Sequence, residues 1–144
     1  MTMAKREERQ RIIRKVIREQ SIKTQRDLVD ALKAQGCACT QATVSRDITE
    51  MGLNKLPDGS YALGEDLYLQ RMISELVVSV GRAGNLVVVK ASVGTAPGVA
   101  AALDAAELEG VLGSVAGDDT ILVIGSDEEQ AEKFVELVEK IRKR

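Results

Sequence analysis

The chain has 144 residues, enough for one ordinary domain or for two small ones that are each short of core. Its 44% hydrophobic and 29% charged content is that of a soluble globular protein, but only 2% is aromatic and Trp is absent, so Val, Leu, Ile and Ala must fill the interior. No apolar run approaches the roughly 18 residues of a membrane span. The stretch from Met1 to Gln20 is too charged for a secretory signal, so a cytoplasmic protein with no membrane association is expected. The absence of His excludes His-dependent triads and relays, which argues against an enzyme. Cys37 and Cys39 stand too close in sequence for an unstrained bridge and have no His to complete a metal site, so reduced, partly buried thiols are expected. The formal net charge of -2 conceals an asymmetry: 12 Lys and Arg face 7 Asp and Glu from Met1 to Pro57, against 8 and 15 from Asp58 onward. Such a basic front half on an acidic back half suggests that only the front meets a polyanion.

Residues 4–19 place Ile12, Ile13, Val16 and Ile17 at helical spacing among Arg9, Arg11, Arg14, Lys15 and Arg18, which predicts a basic amphipathic helix. Its arginines could lie along a phosphate backbone, a contact that fixes position without reading sequence. Thr24, three residues before Asp27, is a capping-box-like start for a second helix that turns Leu28, Val29, Ala31 and Leu32 inward and stops at Gly36. A third helix runs from a Thr40 cap to Gly52. Val44, Ile48 and Met51 form its apolar stripe, while Ala42, Ser45, Arg46 and Thr49 point away from it. Short side chains on the outer face permit close approach to another surface, and a helix of about 18 Å fits the major groove. Residues 53–56 and 61–63 around Pro57-Asp58-Gly59-Ser60 predict a hairpin, completing a winged helix-turn-helix with Lys55 near the wing tip, against phosphates or the minor groove.

Residues 65–72 are expected to form a linker between a DNA-binding domain, 1–64, and a second domain, 73–144. In the latter, β-branched runs at 76–80 and 86–93, an Ala-rich helix at 98–106, strands at 111–116 and 120–125, and a helix at 127–141 predict a ββαββα two-layer sandwich. The fold class is thus α/β, in the α+β sense. Val77, Val87 and Val89 exceed what about 70 residues with one aromatic can hide, so association is expected. Gly117-Asp118-Asp119 is either a β-turn cap or a site for a cationic ligand. Two carboxylates match a guanidinium fork, whereas the further oxygen ligands of Mg²⁺ or Ca²⁺ are not clustered nearby.

The chain resembles the bacterial arginine repressor family over nearly its whole length. The resemblance is carried by Thr40-Gln41-Ala42-Thr43-Val44-Ser45-Arg46-Asp47-Ile48, by Gly52-Leu53 with Lys55, and by the run from Val111 through Gly117-Asp118-Asp119 to Ile121. It implies a regulator that binds operator boxes in double-stranded DNA as a homo-oligomer of trimers and hexamers. L-Arginine would be its corepressor, with no cofactor and no metal, and activation of arginine catabolism is left open. Carried over, Gln41, Ser45 and Arg46 match the recognition-helix residues. Thr43 and Lys55 join them as candidate DNA contacts, and Asp104, Asp118 and Asp119 match the ligand-site acids. Pro97 stands where many members carry Gln, so that side-chain amide is missing. The other readings are a winged-helix regulator with a different effector or none, an enzyme acting through the three Asp, and a protein-docking winged helix.

Overall fold

The structure is a computed structural model that describes residues 3–143; Met1, Thr2 and Arg144, the last expected at the end of the final helix, lie outside the described residues. The chain divides into two compact units, Met1–Gly64 and Glu65–Arg144, each with its own apolar core.

In the first unit, α1 (Met3–Glu19), α2 (Gln25–Ala34) and α3 (Gln41–Glu50) precede a hairpin of β1 (Leu53–Lys55) and β2 (Tyr61–Leu63). The expected caps form: the Thr24 hydroxyl accepts from Asp27 N and the Thr40 hydroxyl from Thr43 N, each satisfying an amide that the first helical turn leaves without a backbone partner. Ile13, Val16, Leu28, Leu32, Val44 and Leu63 make a core with no aromatic at its centre. The hairpin pairs Leu53 with Leu63 and Lys55 with Tyr61. Its turn is held by the Asp58 carboxylate, which accepts from Ser60 N at 2.8 Å and from Ser60 Oγ at 2.6 Å, and by Gly59 at φ 90°. Tyr61 N donates to Ile22 O at 2.8 Å, strapping the hairpin to the segment between α1 and α2.

The second unit begins with a difference from expectation. The stretch 65–72, expected as a linker, lies within helix α4 (Gly64–Leu76). Leu69 and Ile73, four residues apart and hence on one helix stripe, are buried in the second core. Then come β3 (Val77–Ala83), β4 (Leu86–Ala91), α5 (Ala96–Ala106), β5 (Val111–Ala116), β6 (Thr120–Gly125) and α6 (Glu128–Arg142). The expected ββαββα order is present, with α4 added in front. The sheet is antiparallel in the order β3-β4-β6-β5. Val87, Val89, Ile121 and Val123 point into the core with Val99 and Leu103 of α5 and Phe134 and Val138 of α6. The Ala-rich surface of α5 permits close packing: a Cβ on Gly98 would stand 3.3 Å from Met72 Cε. Asp127 caps α6 by accepting from Gln130 N at 2.8 Å.

Val77, Val87 and Val89, expected to be partly uncovered, are all buried. The uncovered set is the alternate one. Along a strand successive side chains take opposite faces, and the helices cover only one. Leu86, Val88, Val115 and Leu122 stay exposed on the other, and Val88, Leu122 and Val115 sit opposite one another across three strands.

Candidate functional site

The outer face of α3 carries Gln41, Ala42, Arg46 and Thr49, all exposed, with Thr43 and Ser45 half-buried beside them. Among the described residues the Arg46 guanidinium has no hydrogen-bond or ion-pair partner within the chain, so its fork of donors is available to a ligand. Gln41 Nε2 lies 3.4 Å from Gln25 Oε1, and Thr43 Oγ1 lies 3.0 Å from Thr40 Oγ1, so these two are tethered at the helix start. Lys55 is exposed but engaged. Its ammonium donates to Lys23 O and stands 4.3 Å from the centre of the Tyr61 ring, folded back onto the body of the unit rather than off the wing tip.

Of the arginines expected along a phosphate backbone, Arg9 is a correction. It is 6% exposed and grips Asp47, itself 1% exposed, through Nε to Oδ2 and through Nη2 to Oδ1 at 2.8 Å. Gln10 Nε2 adds a bond to Asp47 Oδ1 at 3.0 Å. Burial pushes the Asp47 carboxyl up, but hydrogen bonds from Arg9 and Gln10, with the charges of Arg9 and Arg6, outweigh it and hold the group below its ordinary value. Arg11 pairs with Glu8 one helical turn away. Lys15 and Arg18 remain on the exposed side. The Arg9–Asp47 pair gave no sequence signal, because residues 38 positions apart share no helical or strand period. Cys37 and Cys39 are free and half-buried, and burial, with Cys37 adding to it, pushes the Cys39 thiol up.

In the second unit the acids occupy two places. Asp118 and Asp119 are exposed on the β5–β6 turn. Asp118 Oδ2 accepts from Gly94 N at 3.1 Å and its carbonyl from Ala96 N at 3.1 Å, fixing the turn to the start of α5. Asp119 Oδ1 accepts from Thr120 Oγ1 at 2.9 Å, and Lys90 Nζ donates to the same hydroxyl at 2.7 Å. Each carboxylate has one oxygen tied, and the other has no partner among the described residues. Asp104 accepts from Ser114 Oγ at 3.2 Å. It lies eight residues beyond Ala96 on α5, hence about 12 Å along the helix. Among the described residues no group of three or more His, Cys, Asp or Glu side chains is arranged to hold a metal ion, and no helix is long and apolar enough to cross a membrane.

These two units coincide with two family patterns. Residues 4–68 match "Arginine repressor, DNA binding domain" and residues 73–140 match "Arginine repressor, C-terminal domain". The chain belongs to the arginine repressor family. An arginine repressor of Carboxydothermus hydrogenoformans is 41% identical over 88% of this chain and 92% of its own length. That of Thermotoga petrophila is 40% identical over 92% and 95% of the two chains, and that of Thermus thermophilus is 41% identical over 90% and 86%. The family is one of DNA-binding transcriptional repressors, and the helix-turn-helix with its hairpin is the part of this chain that binds DNA.

Proposed function

We propose that the chain represses arginine-biosynthesis genes by binding operator DNA as an oligomer of trimers and hexamers, with L-arginine as corepressor. Gln41, Thr43, Ser45, Arg46 and Lys55 would be the DNA contacts, and Asp104, Asp118 and Asp119 the ligand acids. The observation that carries the ligand reading is the pair of exposed carboxylates, each with an oxygen open to a guanidinium fork. Asp104 lies about 12 Å along α5 from the helix start to which Asp118 is bonded, and we infer that a ligand using all three acids takes them from two copies of the chain. Neutralising clustered carboxylates then favours the larger assembly, and arginine shifts the balance only by binding that assembly better than its parts. Paired heads in that assembly match paired half-sites.

Titration calorimetry with L-arginine and L-lysine tests the ligand. Arginine should give the larger heat and sharpen sedimentation toward the larger species. Asp118→Asn keeps an oxygen for Gly94 N but removes the charge, and should weaken arginine at least about tenfold. Equal heats for the two amino acids, or an unaffected Asp118→Asn, would count against a guanidinium site.

A further inference from the structure

The contact between α1 and α3 places charge where apolar side chains would serve packing equally well. Asp47 follows Arg46 directly but points inward, and Arg9 holds both its oxygens while Gln10 holds one of them again. Gln10 also donates to Glu50 Oε2 at 2.9 Å, and Arg6 pairs with Glu50, so α1 grips the last two turns of α3 at two carboxylates. Replacing a buried ion pair by apolar side chains of similar volume is often neutral or stabilising, so stability does not account for this one. Geometry does. A guanidinium fork on a carboxylate fixes two contacts in one plane, whereas the other inward residues of α3, Val44, Ile48 and Met51, form an apolar stripe that tolerates rotation. A rotation of about 20° moves a side chain on the helix surface by about 2 Å, more than a base-edge hydrogen bond allows.

We propose that Arg9, Gln10 and Asp47 are positioning residues for sequence discrimination: they set the rotation of α3 about its axis, and so the aim of Ser45 and Arg46, without touching DNA. The inference rests on α3 being the helix that reads base edges. It separates two properties that a plain folding role would keep together, stability and preference among DNA sequences.

The test uses the full chain and the duplex sequence that the wild-type protein enriches from a random-sequence pool, with a scrambled duplex of equal length for comparison. The double variant Arg9→Met with Asp47→Leu leaves net charge unchanged. It should unfold no earlier than wild type and bind the scrambled duplex with unchanged affinity and salt slope, because phosphate contacts are intact. Its preference for the enriched duplex should fall at least about tenfold. Arg9→Lys keeps the charge without the fork and should also lose preference, which covers the case in which the double variant does not fold. A folded double variant, or a folded Arg9→Lys, with wild-type preference overturns the proposal. A wild-type chain that binds duplexes but enriches no sequence overturns sequence reading by α3, and this inference with it.

Discussion

If the chain associates as proposed, the uncovered face of the sheet offers a quantitative prediction, that Leu122→Glu separates the copies. Leu86, Val88, Leu122 and Val115 are 38%, 39%, 36% and 65% exposed. That is about two side chains' worth of area, and at about 1.5–3 kcal/mol per side chain fully buried, covering it contributes about 3–6 kcal/mol per subunit. Leu122 sits in the middle of the row, opposite both Val88 and Val115. A carboxylate there forfeits its own share, below about 1 kcal/mol, and adds the desolvation of an unpaired charge, several kcal/mol. A loss of about 3 kcal/mol raises the dissociation constant about a hundredfold. Sedimentation velocity over a concentration series measures this, and circular dichroism checks the subunit, whose fold should survive because position 122 already meets solvent. If Leu122→Glu dissociates at the wild-type concentration, the sheet face is not the contact surface and the reasoning from its exposure is wrong.

Other outcomes follow from single contacts. Gly110→Ala should cost about 1–3 kcal/mol in denaturant unfolding, because φ is +82° and the new Cβ would stand 2.8 Å from Gln130 Cβ. Gly36→Ala, at φ +80° with nothing within 4 Å, should cost less, and equal losses would show that the Gln130 contact is irrelevant. Because the Asp47 carboxyl is held below its ordinary value, its contribution to stability is present above the unfolded value of about pH 4 and is lost as pH falls through the lower native one. Carbon NMR should find Asp47 still ionised where most carboxylates have protonated, and a titration at pH 4 or above would contradict the pairing. Arg46→Ala should weaken binding by about 1–3 kcal/mol at one base position if it pairs with guanine, and equally on all duplexes if it meets a phosphate; gel shifts over single-position variants separate the two.

Local chemistry made most elements legible beforehand. Thr24 and Thr40 cap the helices they were expected to cap, and the Pro57-to-Ser60 turn joins the expected strands. What remained hidden depended on choices that no local pattern records. Alternation along 86–89 and 121–123 separates two faces without naming the one the helices cover, and both are apolar here. Leu69 and Ile73 carried a helical spacing across the end of the stretch expected as a linker, and Glu65 and Asp66 occupy the first turn of α4, as the helix dipole favours. Arg9 looked like one more solvated cation, since its partner lies on another helix. In the acidic site the turn was legible, but the separation of Asp104 from Asp118 follows from the length of α5.

The chain has no Trp and two tyrosines, and these fall one to each unit: Tyr61 on β2 beneath the Lys55 ammonium, and Tyr68 on α4 beside the Arg71 guanidinium. Tyr68→Phe therefore leaves a single tyrosine to excite, in van der Waals reach of the Lys55 ammonium. Emission from that phenol becomes an intrinsic optical gauge of whether Lys55 stays docked on its ring or leaves it for a phosphate, with no dye attached to the protein.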